Sequence, residues 1–334
     1  MNPLSGNKIS YWSLLLIAVA LIKSQNSLAA PGPKDSLMID NITIPAITSF
    51  DADNDSISCV LPFSRAGNLI LLRAKADSTE GNFILDTGSP TLVLNLTYFR
   101  HYNTTVRTDA EEGGMNGTGS PVQETTVKDF NIGPIVYRRT VANLVNLGHI
   151  ENSKGVKVLG LLGMKLFRQF EMIIDYDKNL IYLHKIGKKE EKTYMHEMLQ
   201  DTSSYRTYPV DFYNDKILAR TELAGRKLRL MIDFAAETNV LDSRLPDIIF
   251  ENIAISKRVI LNGIGGQKVE ALYGDLSNMK LGDDPIRTLP VLVTNLSNTC
   301  LSYEFCIDGI LGFDFLSLHK IGFNFVNRKM YIWK

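Results

Sequence analysis

Two aspartates each close an apolar run and open a short loop. Asp86 lies in "GNFILDTGSPTLVLN" (81–95) and Asp233 in "LRLMIDFAAETNVLD" (228–242). Two carboxylates brought face to face cannot both ionise, because the charge on one disfavours deprotonation of the other. Such a pair shares a proton and offers a general base and a general acid at the same pH. A water held between them can attack a peptide carbonyl with neither a metal nor a covalent intermediate. Thr87, Gly88 and Ser89 after the first acid suit that chemistry, since a hydroxyl can lock the loop to a twin and glycine admits close backbone approach. The second loop departs, with Phe234, Ala235 and Ala236 at those places. Phe234 has no hydroxyl to donate, and Ala235 adds a methyl group. Asp233 is then either a working half-site or a leftover acid at a strand end. A buried, unpaired carboxylate is costly, which favours a role for it.

The elements that would position these acids come from an internal repeat. Downstream of Asp86 lies "GLLGMKLFRQFEMIIDYDKNLIYLHK" (160–185), and downstream of Asp233 lies "GILGFDFLSLHKIGFNFVNRKMYIWK" (309–334). Aligned without a gap they share Gly160/Gly309, Leu162/Leu311, Gly163/Gly312, Tyr182/Tyr331 and Lys185/Lys334. Upstream, "PFSRAGNLILLRAKA" parallels "DFYNDKILARTEL". Each unit reads as short strands rich in Ile, Leu, Val and aromatics, bounded by Gly, Asn and Asp. Hairpins are expected with turns at Lys178-Asn179 and Asn327-Arg328, and short helices after Gly163 and Gly312. The expected organisation is a first β lobe over 61–187, a charged linker over 188–205 and a second β lobe over 206–334. Residues 31–60 form an N-terminal arm or propeptide.

"FILDTGSPTLVLN" together with "GLLGMKLF" resembles the catalytic and second psi-loop motifs of aspartic peptidases, most nearly the retropepsin-like bacterial proteins. Two lobes in one chain are similar to the pepsin arrangement, and the resemblance covers most of 61–334. It implies an all-β, bilobal aspartic-peptidase-like fold: two related β-barrel lobes, a cleft between them, and short helices. Asp86 and Asp233 would be catalytic, supported by Thr87, Gly88 and Ser89. Glycine-rich hairpins, "GGMNGTGSPVQ" (113–123) and "LNGIGGQKVEA" (261–271), would supply flaps at Gly117 and Gly119 and at Ile264, Gly265 and Gly266. The first lacks the tyrosine of the pepsin flap within its glycine-rich run. The implied partner is a peptide or protein substrate, with no cofactor and no metal. The chain would act as a monomer. Two alternatives stand beside this reading: a peptide-binding pseudopeptidase, or a homodimer pairing the Asp-Thr-Gly lobes of two chains.

Bulk properties fit an exported globular protein. The 334 residues are 45 % hydrophobic and 22 % charged, which excludes a disordered chain. Lys+Arg and Asp+Glu both number 36, so no basic surplus points to nucleic acid. Lys8, an apolar run over 12–22 and the small-residue end "SLAA" read as a signal peptide over 1–30. That run is shorter than the roughly 20 residues a membrane span needs, so a secreted or periplasmic location is expected over a membrane anchor. Export permits disulfides, and Cys300 and Cys306 are close enough to close a small loop, leaving Cys59 over. Sequons at Asn41, Asn54, Asn95, Asn103, Asn116 and Asn295 would matter only in a eukaryotic source. "DADNDSISCVLP" (51–62) fails as a calcium loop, with Ser56 where glycine is needed and Pro62 where the bidentate Glu belongs.

Overall fold

The computed structural model describes residues 49–51, 56–112, 120–262, 268–297 and 306–334. The leader and all five candidate flap residues, Gly117, Gly119, Ile264, Gly265 and Gly266, lie outside them.

Besides the short strands Ser49–Asp51 and Ser64–Ala66, the first half of the described chain holds β1 Ser56–Pro62, β2 Leu69–Ala76, β3 Thr79–Leu85, β4 Leu92–Asn95, β5 Thr105–Glu112, β6 Ser120–Ile132, β7 Ile135–Val145, β8 Gly160–Leu162, β9 Phe170–Asp175 and β10 Leu180–Lys185. Their counterparts in the second are β11 Tyr205–Tyr213, β12 Lys216–Leu223, β13 Arg226–Ile232, β14 Asn239–Asp242, β15 Ile253–Asn262, β16 Lys268–Leu276, β17 Leu289–Thr294, β18 Gly309–Leu311, β19 Ile321–Asn324 and β20 Lys329–Trp333. The correspondence extends to register. β3 runs parallel to β8 with Phe83 opposite Gly160, and β13 runs parallel to β18 with Leu230 opposite Gly309. β8 is antiparallel to β4 with Leu161 opposite Val93, as β18 is to β14 with Ile310 opposite Val240. A one-residue slip would turn every side chain to the other face, so matching register in both lobes is strong evidence of duplication.

The repeated glycines follow from this packing. A methyl on Gly160 would lie 2.0 Å from the Val93 carbonyl oxygen, and one on Gly309 would lie 2.3 Å from that of Val240. A methyl on Gly163 would likewise lie 2.0 Å from the Thr91 carbonyl oxygen, and one on Gly312 would lie 2.5 Å from that of Thr238. The central strands β3, β4, β13 and β14 are buried on both faces where they approach the acids, which explains their unbroken apolar runs.

Lobe one closes as a six-stranded barrel, β2-β3-β8-β4-β7-β6, with Ala74 of β2 opposite Ile132 of β6. Lobe two follows the same order, but a short strand after β16, Lys280–Leu281, reaches β12 in place of β16 itself. The lobes join through one antiparallel sheet, β1-β10-β9-β19-β20-β11. Its midpoint is the β9–β19 pair, with Met172 opposite Phe323, and one apolar cluster runs through both lobes. The result is an all-β, bilobal, aspartic-peptidase-like fold. Both expected hairpins are present, with left-handed Asn179 and Arg328 in their turns. A 3-10 turn at Met164–Leu166 and a helix at Phe313–Leu316 follow the paired glycines.

The cysteines and one sequon acquire definite environments. Cys306 is disulfide-bonded, and Cys59 is a buried free thiol whose pKa burial pushes up to about 12. Asn95 is fully buried: its amide donates to the Val158 carbonyl at 2.9 Å and accepts from the Thr97 and Leu147 N–H groups. It is a structural asparagine that no glycan could reach in the folded chain.

Candidate active site

Asp86 and Asp233 each follow the end of a buried strand, on loops with the same main-chain bonding. The Asp86 N–H donates to the Leu162 carbonyl at 3.1 Å, and the Asp233 N–H to the Leu311 carbonyl at 3.1 Å. Ser89 N–H reaches the Asp86 carbonyl at 3.3 Å, as Ala236 N–H reaches that of Asp233. Met164 N–H then binds the Ser89 carbonyl at 2.8 Å, and Phe313 N–H that of Ala236 at 2.8 Å. The Phe-Ala-Ala loop thus keeps the backbone path of Thr-Gly-Ser while changing its side chains.

The two acids meet at the seam between the lobes, both wholly buried. Gly88 lies directly against the opposite carboxylate: a methyl there would stand 2.4 Å from Asp233 Oδ2. Its N–H donates to Asp233 Oδ1 at 3.3 Å, and the Ala235 N–H donates to the same oxygen at 2.9 Å. Ser89 N–H donates to Asp86 Oδ1 at 2.9 Å. Each Oδ1 is therefore held by loop amides, while Asp86 Oδ2 and Asp233 Oδ2 are buried without a hydrogen-bond partner among the described residues.

Thr87 ties the lobes together. Its hydroxyl donates to the Ile232 carbonyl at 2.9 Å and accepts from the Phe234 N–H at 3.2 Å. Phe234 lacks the reciprocal hydroxyl and instead enters the core, edge-on to Phe323 at 5.7 Å between ring centroids. Ala235 is buried in an apolar cluster with Leu69, Ile84 and Val93 of lobe one. Glu237, the nearest further acid in sequence to Asp233, is held elsewhere. It accepts both short bonds from Lys154 Nζ, at 2.6 and 2.5 Å, and its carbonyl accepts from the Asn68 side chain. It forms an interlobe ion pair and is taken up there.

Burial raises the Asp86 pKa well above the usual carboxylate range, and the Asp233 charge adds to the rise. Burial likewise raises Asp233, to about 6, against the pull of the Ala235 N–H, Lys216 and the Gly88 N–H. The pair therefore retains a proton into the range where an isolated aspartate has lost it.

Sequence reasoning passed over Lys216. It begins β12, is 2 % exposed, and its ammonium is buried with no hydrogen-bond partner among the described residues. Burial lowers its pKa, while the charges of Asp86, Asp233 and Asp215 pull it back up. A signal was present: laying "KILARTEL" on "LILLRAKA" sets this lysine opposite Leu69 at the start of an apolar strand.

No protein-family model matches the chain, and no curated protein matches it. Among solved structures, it is similar to a retropepsin-like aspartic protease from Rickettsia conorii, at 18 % identity with a TM-score of 0.29, over 40 % of this chain and 93 % of that one. It is also similar to basic 7S globulin from soybean, at 12 % identity with a TM-score of 0.42, over 83 % of this chain and 96 % of that one. At such identities the likeness concerns the fold alone. What the site can do is read from its own atoms.

Proposed function

We propose that the chain is an aspartic endopeptidase in which Asp86 and Asp233 jointly activate a water against a peptide carbonyl. The observation that carries this reading is the buried pair itself. Two carboxylates from equivalent loops share one seam, each with one oxygen held by amides and one left for a reactant. In the reaction the ionised member takes a proton from water as the water attacks. The protonated member donates to the carbonyl oxygen, so the pair still holds one proton, now on the other acid. As the tetrahedral diol collapses, that acid protonates the leaving amine and its partner takes a proton from the diol hydroxyl. Gly88 and the Thr87 tie fix the distance between the acids, on which such chemistry depends at the ångström level. The pairing of the acids within one chain supports a monomer over a site shared by two chains. The signal-like leader and the bonded Cys306 favour export to an oxidising compartment.

A second reading, a peptide-binding protein without turnover, draws on Phe234 and Ala235 in place of Thr and Gly. A mixed peptide library assayed across pH, with and without a pepstatin-type inhibitor, separates the two. Asp86→Asn, nearly isosteric but unable to act as a base, is expected to lower turnover by on the order of 10²–10⁴-fold. Full turnover in that folded variant refutes the aspartic mechanism. Unchanged turnover in Asp233→Asn refutes the intrachain pair.

A further inference from the structure

Lys216 is a residue at the seam that the dyad chemistry leaves unexplained. A buried ammonium is expensive unless compensated, and this one has no hydrogen-bond partner among the described residues. Its sequence neighbour Asp215 accounts for it only in part, because Asp215 is also engaged by Lys165 at 3.9 Å and by a close ion pair with Arg168. The other anions whose charge reaches it are Asp86 and Asp233. Those two carboxylates each keep one buried oxygen without a hydrogen-bond partner, so three incompletely satisfied groups of opposite charge share one water-poor seam.

The duplication shows how the lysine arrived there. The position equivalent to 216 in lobe one is Leu69, and Leu69 shares an apolar cluster with Ala235 of the opposite loop. The two-fold relation turns position 216 toward the loop of Gly88, where the missing methyl leaves the Asp233 carboxylate against the backbone. One side of the seam is therefore leucine on alanine. On the other, the two-fold relation sets lysine at the position of that leucine and glycine at that of the alanine.

We propose that Lys216 is a third charged member of the site, a positioning residue whose ammonium compensates the two carboxylates and moves the pH range in which they share a proton toward acid. This rests on the reading of Asp86 and Asp233 as a working pair. A cation beside a carboxylate favours its ionised form, so the dyad loses its shared proton at lower pH with the lysine than without it. The anions whose charge reaches the lysine are Asp86, Asp233 and Asp215, and Arg168 and Lys165 partly offset the last.

The test is a carboxyl-carbon NMR titration of Asp86 and Asp233 in the full chain, comparing wild type with Lys216→Met and with Lys216→Leu, the residue of lobe one. Both variants are expected to raise the apparent titration of the pair by about one to three pH units. An unmoved titration in a folded variant overturns the proposal. Should both variants unfold, the reciprocal measurement decides: in Asp86→Asn the Lys216 ammonium should titrate lower than in wild type, and no change there overturns it equally. Peptide turnover followed on the same samples keeps the two readings apart. A shifted titration with no turnover in any sample leaves Lys216 in place and removes the peptidase. Turnover with an unshifted titration does the reverse.

Discussion

Thr87→Val tests whether one hydroxyl holds the two acids at their spacing. Valine has nearly the shape of threonine, so the substitution opens no cavity, and its effect comes from the lost oxygen. Two hydrogen bonds go at once: the one donated to the Ile232 carbonyl at 2.9 Å and the one accepted from the Phe234 N–H at 3.2 Å. All three residues are buried, so water cannot replace the partner. A buried polar group left unpaired costs about 1–3 kcal/mol, and two such groups give about 2–6 kcal/mol. Thr87→Ser is the control. It keeps the hydroxyl and removes one methyl, for about 0.8 kcal/mol. Urea denaturation followed by tryptophan fluorescence should place the midpoint of Thr87→Val well below that of Thr87→Ser, with wild type highest. Turnover should fall with the first and persist in the second. If Val and Ser variants unfold at the same midpoint, the hydroxyl is not the interlobe tie.

Three further outcomes follow from the same geometry. Gly88→Ala would place a methyl 2.4 Å from Asp233 Oδ2; the displaced carboxylate should cost on the order of 10²-fold in turnover and about 1–3 kcal/mol in stability, and an unaffected variant in both assays refutes the close approach. The folded-state pKa of Asp233 is raised to about 6, so its contribution to stability is present below about pH 4, the unfolded value, and is lost as pH rises through 6. Asp233→Asn should accordingly gain on wild type in melting temperature across that window, and a constant difference from pH 4 to 7 contradicts the burial. Replacing Phe234-Ala235 by Thr-Gly removes a ring packed on Phe323; the cavity should cost up to roughly 3–5 kcal/mol without raising the rate, and a faster enzyme would show that the loop had been catalytically impaired.

Much of this architecture was legible because duplication prints the same local rule twice. The paired Gly-apolar-apolar-Gly segments were visible as a repeat, and the reason for them is a carbonyl oxygen that leaves no room for a methyl. The turns at Asn179 and Arg328 were legible for a similar reason, since polar residues punctuate runs of apolar ones. The strand pairing between lobes was not legible. The β9–β19 pairing joins strands far apart in sequence, and nothing local in either marks its partner. Asp86 and Asp233 were recognisable as candidates by type, but the Thr87 tie to Ile232 and the diversion of Glu237 to Lys154 needed the assembled seam. Lys216 escaped because a lysine at a strand start is ordinarily a solvated end. Only the matching Leu69 marked it as misplaced. Phe234 was legible as a loss of hydroxyl, whereas its gain, a buried ring in the core, was not.

The altered second loop therefore reads as divergence around a shared backbone path, and decay is the poorer description. Decay would relax the constraint on the main chain first, since nothing would then hold the second acid in register with its twin. Instead the three loop bonds agree between the lobes, at 3.1, 3.3 and 2.8 Å, and Asp233 keeps the amides that stabilise a carboxylate. What differs are side chains packed away from the Asp233 carboxylate. Phe234 packs into the core, and Ala235 fills a site lined by Leu69. The equivalent pair of positions holds glycine and lysine, Gly88 and Lys216. An apolar contact on one side and a charge on the other make the two acids inequivalent before any substrate arrives. Mutual charge alone lets two like acids divide a proton; unequal surroundings would decide which of them holds it.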